Sequence, residues 1–190
     1  MISFNEIKKG VQILDNNQPY LVLEANHLKK AQRRPVIQTR LRNLITGEII
    51  SKNFHQDDVL EEPQLETFEA KFLYHHRDKY VFCRKENPSV RFEFTKEKLG
   101  ETVNFLRPNL EVKALVFNGE IINISLPIKV ELKVVEAPPA LKGDSAQSPT
   151  KFVILESGYR LQAPIFIKAG DIVQVNTENG EYVRRVKEAE

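Results

Sequence analysis

The sequence predicts an all-β protein built from small antiparallel barrels or sandwiches. Short apolar runs alternate with polar positions in a period of two, and turn residues separate these runs at roughly 8–12-residue intervals. One polar face on each strand is typical of antiparallel sheets, which expose one side to water. At roughly 100–200 residues per domain, the 190 residues allow one ordinary domain or a few small ones.

The strands follow from these alternating runs in chain order. We predict them at residues 11–14, 20–23, 36–39, 79–82, 112–116, 120–125, 130–135, 151–155 and 172–175. Asn and Gly tolerate the positive φ of tight hairpin turns. Four hairpins are therefore predicted at Asp15-Asn16-Asn17, Thr46-Gly47, Asn118-Gly119 and Asn179-Gly180.

A single helix is predicted, at residues 95–106. Thr95 is suited to cap its N-terminus, Leu99, Val103 and Leu106 share one face, and Pro108 ends it. A helix inserted between the strands of a small five-stranded barrel is typical of an OB-type fold.

Charge is unevenly distributed, although the whole chain carries a formal charge of only +2. Residues 27–42 hold basic side chains and no acidic one, and the basic residues are Lys29, Lys30, Arg33, Arg34, Arg40 and Arg42. Acidic residues crowd the stretch around Pro63. From this contrast, and from the end of a strand before Pro127, we predict modules at residues 1–63, 64–127 and 128–190.

The basic segment is the strongest functional feature. If the flanking strands pair, its cations sit at the end of a hairpin arm projecting on the order of 20 Å at ~3.3 Å per residue. Lys and Arg at such a tip neutralise phosphates without reading base sequence. The alternative is a solvated loop with surplus charge.

Motifs for catalysis are lacking. The lone Cys83 forms no internal disulfide, and we expect it to be a small buried hydrophobe. Adjacent His75 and His76 would point to opposite faces of a strand, so we expect a surface pair and no metal site. Neither a phosphate-binding glycine loop nor a nucleophile elbow is present. We therefore predict no enzyme, no cofactor and no metal.

Localisation follows from hydropathy. No apolar run approaches the ~18 residues that span a bilayer, and the N-terminus lacks the pattern of a signal peptide. A cytoplasmic protein with no membrane contact is expected.

A long connection joins the strands at 130–135 and 151–155. Long loops in compact barrels are usually functional or disordered. Gly143, Asp144 and Ser145 within it offer a flexible backbone, a carboxylate and a hydroxyl, which can bond to base edges or ribose. An ordinary turn is the alternative.

Taken together, the order of short motifs resembles the bacterial elongation factor P family across the whole chain. The stretches that carry the resemblance are Gly10-Val11-Gln12-Ile13, Gln18-Pro19-Tyr20, Arg40-Leu41-Arg42-Asn43-Leu44-Ile45-Thr46-Gly47, Phe72-Leu73-Tyr74, Phe117-Asn118-Gly119-Glu120, Leu126-Pro127, Leu141-Lys142-Gly143-Asp144-Ser145-Ala146, Leu155-Glu156-Ser157-Gly158, Ala163-Pro164-Ile165-Phe166-Ile167, Gly170-Asp171 and Gly180-Glu181-Tyr182-Val183-Arg184-Arg185-Val186.

The resemblance implies a KOW- or SH3-like N-terminal β-barrel and two OB-fold barrels in an L-shaped arrangement that mimics tRNA. It implies a non-enzymatic factor that binds both ribosomal subunits between the P and E sites and relieves stalls at consecutive prolines. A hairpin tip of the first domain would steady the acceptor end of the P-site peptidyl-tRNA. A monomer is expected.

The tip departs from the family pattern. Family members commonly carry a Gly-flanked Lys or Arg there, whereas this segment contains no glycine. Alignment from Glu24-Ala25 puts Arg33 at the tip, and counting back from Leu41-Arg42 puts Gln32 there. The candidates are Arg33, then Arg34 and Gln32, with Lys30 beside them. Both an unmodified tip and one extended by a modifying enzyme stay open.

Two further sites come from the resemblance. Gly143, Asp144 and Ser145 match the family loop placed near the E-site codon of the mRNA and the small subunit. Tyr182 and Arg185 match a C-terminal pair that contacts tRNA or the small subunit, and a packing role for Tyr182 is the alternative. From another class, the sequence also fits a general single-strand nucleic-acid-binding OB protein. A transcription-elongation protein with a KOW-like barrel would leave the C-terminal motifs unexplained.

Overall fold

The computed structural model describes residues 1–28, 35–138 and 150–189. Within these ranges the chain is nearly all β, with one short α-helix, α1 (Lys96–Leu99), and two 3-10 segments, Phe4–Glu6 and Gly100–Phe105. The strands are β1 (Gln12–Asp15), β2 (Gln18–Leu28), β3 (Val36–Asn43), β4 (Ile49–His55), β5 (Glu66–His76), β6 (Lys79–Arg84), β7 (Arg91–Thr95), β8 (Glu111–Phe117), β9 (Glu120–Ser125), β10 (Lys129–Glu136), β11 (Thr150–Leu155), β12 (Arg160–Pro164), β13 (Ile172–Asn176) and β14 (Tyr182–Lys187).

The strands form three sheets, whose orders are β1-β2-β3-β4, β7-β6-β5-β8-β9 and β12-β11-β10-β13-β14. The all-β prediction is confirmed, and each predicted strand lies within or overlaps an observed one. Strands β4, β5, β7, β12 and β14 were not among the predicted ones. The alternating pattern is present in β7 and β12, but each of these short strands has only two alternating apolar side chains that are buried or half-buried, Phe92 and Phe94 in β7 and Leu161 and Ala163 in β12.

Packing divides the chain into two compact units. The first comprises Met1–Phe68, Phe94–Gly100 and Ala114–Ile124, and the second comprises Glu69–Glu93, Glu101–Lys113 and Ser125–Glu190. The first sheet belongs to the first unit and the third sheet to the second, while residues of the middle sheet are assigned to both. The predicted module boundaries near residues 63 and 127 stay a prediction.

The first sheet encloses an apolar core. Inward residues alternate with more exposed ones along β3, and the buried set is Ile7, Ile13, Val22, Ile37, Leu41, Phe54 and Leu60. A second cluster in the same unit joins Leu44, Leu115 and Ile122. Along β3 the period-two pattern thus selects the face that packs on the core.

The predicted helix begins where expected and is broken sooner. Thr95 caps it, since its hydroxyl accepts a hydrogen bond from the amide of Lys98 at 3.3 Å. The α-helix ends at Leu99 because Gly100 takes a φ of 57°, and 3-10 geometry continues to Phe105. Gly100 also fits closely under a neighbouring side chain: a Cβ there would lie 2.6 Å from Nη2 of Arg42.

All four predicted turns connect paired strands and contain a residue with positive φ. Asn16, Asn17, Gly47, Asn118 and Gly119 all have positive φ between paired strands. At the fourth turn Gly180 has positive φ, as Gly47 has at the second, and residues 177–181 connect β13 to the antiparallel β14. Asn179 instead accepts a side-chain hydrogen bond from the amide of Glu181 at 3.0 Å, as in an Asx turn.

The third sheet buries one face and exposes the other. Its core side chains are Val130, Leu132, Val134, Val153, Leu155, Leu161, Ala163, Val173 and Val175. Edge strands β12 and β14 also contact each other, so this sheet curls on itself as a small barrel does.

Two smaller predictions are confirmed in the structure. Cys83 is 2% exposed in the apolar interior, and His75 and His76 are both exposed at the end of β5. His75 stacks on Tyr80, with ring centroids 5.4 Å apart. In the described part of the chain, no helix has the length and apolar character needed to cross a membrane.

Candidate nucleic-acid interface

The basic segment lies at the end of the β2–β3 hairpin. The predicted flanks do pair, in a register that runs from Tyr20 opposite Asn43 to Leu28 opposite Val36. The tip candidates Lys30, Gln32, Arg33 and Arg34 lie outside the described residues. The structure therefore places both ends of the predicted tip at the outer end of a paired hairpin.

This hairpin differs from the projecting arm that the sequence predicted. Strand β4 pairs with β3 along its length, with His55 opposite Val36 and Phe54 opposite Ile37. Ile37 is fully buried although it lies one residue from the end of the strand. The hairpin is therefore hydrogen-bonded into the first sheet nearly to its outer end, and this pairing stiffens the residues that flank the tip.

A small cavity of about 130 Å³ lies at the foot of the tip. Its lining includes Phe4, His27, Leu28 and Pro35. Phe4, from the N-terminal 3-10 segment, meets the ring of His27 edge to face with centroids 6.2 Å apart. The N-terminal segment thereby supports the outer end of β2, beyond the residues that pair with β1.

One cation of the basic segment is neutralised within the sheet. Arg40 donates a 2.8 Å hydrogen bond to Glu24 across the β2–β3 pair. Glu24 lies just before the acid-free window of residues 27–42, so the sequence did not reveal this pairing. Both side chains are half exposed, so the ion pair adds little stability but removes Arg40 from the surplus of positive charge.

Cations on the middle sheet are paired in a similar way. Lys85 lies 2.8 Å from Glu69 and 3.1 Å from Glu111. The hydrogen bonds to these carboxylates raise the pKa of Lys85, and Lys85 in turn lowers the pKa of Glu69. This side chain offers less free charge to a phosphate than its exposure alone would indicate.

The predicted C-terminal pair, Tyr182 and Arg185, lies on edge strand β14. In the β13–β14 register, Tyr182 is opposite Val175 and Arg185 is opposite Val173. Residues three apart in a regular strand face opposite sides. The register shift between Gln174 and Val175 inserts one residue and brings Tyr182 and Arg185 to the same face.

Arg185 is held by its neighbours. Its guanidinium lies 3.9 Å from the buried carboxylate of Asp171, 3.4 Å from Glu188, and 5.3 Å from the ring centroid of Phe166. Asp171 is fully buried and also accepts hydrogen bonds from the amides of Lys168 and Ala189. Arg185 is therefore part of a structural cluster and is only 31% exposed.

The remaining predicted residues, Gly143, Asp144 and Ser145, lie outside the described residues. The strands that flank them are as expected, because β10 ends at Glu136 and β11 begins at Thr150. Among the residues that the structure describes, no group of three or more His, Cys, Asp or Glu side chains is arranged to hold a metal ion.

An exposed aromatic–arginine pair on the third sheet was missed by the sequence reasoning. The Cζ atom of Arg160 lies 4.0 Å from the ring centroid of Phe152. Phe152 is part of an apolar run, which suggested burial, but strand alternation turns it outward and leaves it 47% exposed. The period of two indicates that one alternate set of this run faces outward, but it does not tell which set, so the sequence held only part of the signal.

Three successive antiparallel sheets, the first with a cation-rich hairpin connection, define a multidomain β protein of the KOW- and OB-fold class. Family models support this class along the chain: "Elongation factor P (EF-P) KOW-like domain" at residues 3–60, "Elongation factor P (EF-P) OB domain" at 65–124 and "Elongation factor P, C-terminal" at 130–185. The chain belongs to the elongation factor P family.

Full-length relatives agree. The chain is 35% identical to elongation factor P of Carboxydothermus hydrogenoformans over 98% of its own length and 100% of the relative's. It is 36% identical to that of Thermodesulfovibrio yellowstonii over 99% and 100% of the two lengths. Among solved structures, eukaryotic translation initiation factor 5A from Methanococcus jannaschii matches with a TM-score of 0.44 and 11% identity, covering 66% of this chain and 90% of that one.

This protein is therefore a translation elongation factor and not an enzyme. Family membership implies interaction with the ribosome and tRNA. The prediction of a KOW-like N-terminal domain followed by OB domains is confirmed.

Proposed function

We propose that this elongation factor binds the ribosome between the P and E sites and promotes peptide-bond formation at stalls on consecutive prolines. The β2–β3 hairpin carries the proposal: its paired strands end at Leu28 and Val36, and Lys29, Lys30, Arg33 and Arg34 fall between them. Cations at the end of a stiff support are suited to the phosphates at the acceptor end of P-site peptidyl-tRNA.

The mechanism is positioning. The ribosome performs the chemistry, and the factor reduces the freedom of a peptidyl-tRNA whose proline is a poor reactant. Support for this comes from the pairing of β3 on both sides, by β2 and β4, up to the residues that flank the tip. A support that is already ordered costs less entropy on binding than a flexible arm would.

Further contacts extend the proposal to the small subunit. Gly143, Asp144 and Ser145 would approach the E-site codon of the mRNA, and the half-buried Tyr182 would meet tRNA or the small subunit at edge strand β14. The ion pairs of Arg185 favour an orienting role for that residue. Modules at residues 1–63, 64–127 and 128–190, an L-shaped arrangement, a monomeric state and a cytoplasmic location complete the proposal.

The tip residue is proposed to be Arg33, with Gln32 as the competing position. Arg can make bidentate phosphate contacts without modification. An added group on this residue would extend the same contact. Intact mass of the protein isolated from its own organism distinguishes the two states.

Tripeptide synthesis on purified ribosomes tests the proposal. We expect the protein from its own organism to accelerate a template with consecutive prolines and to leave a proline-free template unchanged. Arg33→Ala should abolish the acceleration, and Arg33→Lys, which keeps the charge but not the planar fork, should retain part of it. Gln32→Ala is the matched variant that separates the two alignments.

Two results would contradict the proposal. Equal acceleration of both templates would indicate a general effect on translation. Failure to sediment with ribosomes, together with no acceleration of the proline template, would remove the ribosomal role altogether.

A further inference from the structure

The exposed pair of Arg160 and Phe152 lies on the outer face of the third sheet. Phe152 is opposite Gln162, and Arg160 is opposite Ile154, so Arg160 is a diagonal cross-strand neighbour of the ring. The alternate residues Val153, Leu155, Leu161 and Ala163 are buried. The pair is therefore fixed to a packed sheet and not to a loop.

Its exposure distinguishes this pair from three other cation–aromatic pairs in the structure. Lys52 and Lys98 lie over Phe54 and Phe94, but those rings are 2% and 6% exposed and belong to the interior. The ring of Phe166 is exposed, yet its partner Arg185 is engaged by two carboxylates.

Arg160 keeps its hydrogen-bonding capacity. Among the described residues, none forms an ion pair or a hydrogen bond with its guanidinium, which lies over the ring of Phe152. A guanidinium carries five N–H donors and needs partners for them. Beside it, Gln162 donates a 2.8 Å hydrogen bond to Thr150, which adds polar groups to the same face.

We propose that Arg160 and Phe152 form a stacking site for an unpaired base of single-stranded RNA. Arginine planes and aromatic rings are the two surfaces on which proteins stack unpaired RNA bases. One face of the guanidinium plane lies against the ring of Phe152. In the proposed complex, a base stacks on the opposite face of that plane, and the N–H groups at its edge donate hydrogen bonds to a phosphate. This site goes beyond the proposed tRNA contacts and does not depend on them.

RNA fits the site better than an acidic peptide does. A carboxylate would use only the N–H edge of Arg160, and the exposed ring would contribute nothing to its binding. A nucleotide uses both features, because its base stacks while its phosphate takes the charge. The acidic peptide is therefore the competing outcome in the test.

The experiment compares two RNA probes with the full chain. One is a single-stranded adenosine oligomer of about ten nucleotides, in the range that one OB fold covers. The other has the same sugar-phosphate backbone without bases. Fluorescence anisotropy of a terminal label gives each affinity over a salt series. The basic hairpin contributes to both probes alike, so their difference isolates recognition of the bases.

We expect the adenosine probe to bind more tightly than the abasic one. Phe152→Leu, which keeps an apolar side chain without a ring, should weaken adenosine binding roughly tenfold and leave the abasic probe unchanged. Phe152→Tyr should retain the affinity. Arg160→Gln should weaken both probes, and by more than the charge control Arg91→Gln, a change of another exposed strand arginine.

Equal affinities for the two probes would overturn the proposal. If Arg160→Gln weakened both of them equally, the pair would instead be an anion site of the kind an acidic peptide uses. Unchanged adenosine binding by Phe152→Leu would overturn it as well. The readout of this experiment is RNA affinity and not peptide synthesis. The protein could therefore fail to accelerate the proline template while Phe152→Leu still weakened adenosine binding. That result would contradict the proposed function and support the stacking site.

Discussion

At the scale of single residues, the neighbours of an arginine decide its role. Arg185 is surrounded by Asp171, Glu188 and the ring of Phe166, whereas Arg160 meets the ring of Phe152 and no carboxylate among the described residues. The two side chains are chemically identical and lie on strands of one sheet. The first therefore stabilises the C-terminal strand, and the second is available to a ligand.

Asp171 is the residue on which the Arg185 cluster depends. Replacing it by Ala removes the acceptor for the amides of Lys168 and Ala189, so we expect a loss of about 1 to 3 kcal/mol in the local free energy of opening. Amide hydrogen exchange in β13 and β14 measures this. Glu188→Ala removes the exposed partner of Arg185 and should change the same quantity by less than about 0.5 kcal/mol. Equal effects of the two changes would contradict the structural role of Asp171.

At the scale of elements, small irregularities place the candidate residues. The register shift in the β13–β14 pair turns Tyr182 and Arg185 to one face. The positive φ of Gly100 ends α1 after a single turn. Neither feature can be read from hydropathy, since both arise where the backbone fits a neighbouring strand or side chain. The positions of the hairpin turns, by contrast, follow directly from Asn and Gly.

Two hairpin glycines allow conformation and packing to be separated. Gly47 and Gly119 have nearly equal φ values, 85° and 82°, but a Cβ on Gly47 would lie 2.9 Å from Cα of Lys98, while nothing lies within 4 Å of one on Gly119. Gly119→Ala should cost about 1 to 2 kcal/mol for the left-handed backbone alone. Gly47→Ala should cost at least about 1 kcal/mol more, because backbone must move. Urea unfolding measures both, and equal losses would show that the close approach is unimportant.

At the scale of the whole molecule, the net charge of +2 conceals how charge is used. Many exposed cations are paired with acids: Arg40 with Glu24, Lys52 with Asp15, Lys79 with Glu93, and Lys85 with Glu69 and Glu111. Along the sequence, the excess of basic over acidic residues is concentrated between Lys29 and Arg34. The field that attracts RNA should therefore come from one end of the first sheet.

This distribution predicts different salt responses for two arginines. In tRNA binding, Arg34→Gln should reduce the slope of log affinity against log salt by roughly 0.7 to 0.9, the value for one phosphate contact. Arg40→Gln should reduce it by less than half as much, because Glu24 already neutralises that side chain. Titrations at several salt concentrations give both slopes. Equal reductions of the slope would mean that the ion pair with Glu24 does not prevent Arg40 from contacting a phosphate.

The sequence by itself determined the fold class, nine of the fourteen described strands, the positions of the hairpin turns, the buried state of Cys83 and the family. These properties depend on local periodicity, on residues that tolerate positive φ, and on short motifs in a fixed order, all of which are written along the chain. The tip candidates and the 143–145 loop also rest on the sequence, and they stay predictions.

Only the tertiary structure decided which charged and aromatic side chains are free. Glu24 lies 16 residues from Arg40, Asp171 lies 14 from Arg185, and Phe152 lies eight from Arg160, and each pair is joined by strand pairing or strand packing. Hydropathy assigns the Phe152 run to the interior, and strand alternation turns that one ring outward. The physical reason is that exposure and charge neutralisation depend on partners brought together across strands, and the spacing of residues along the chain does not specify those partners.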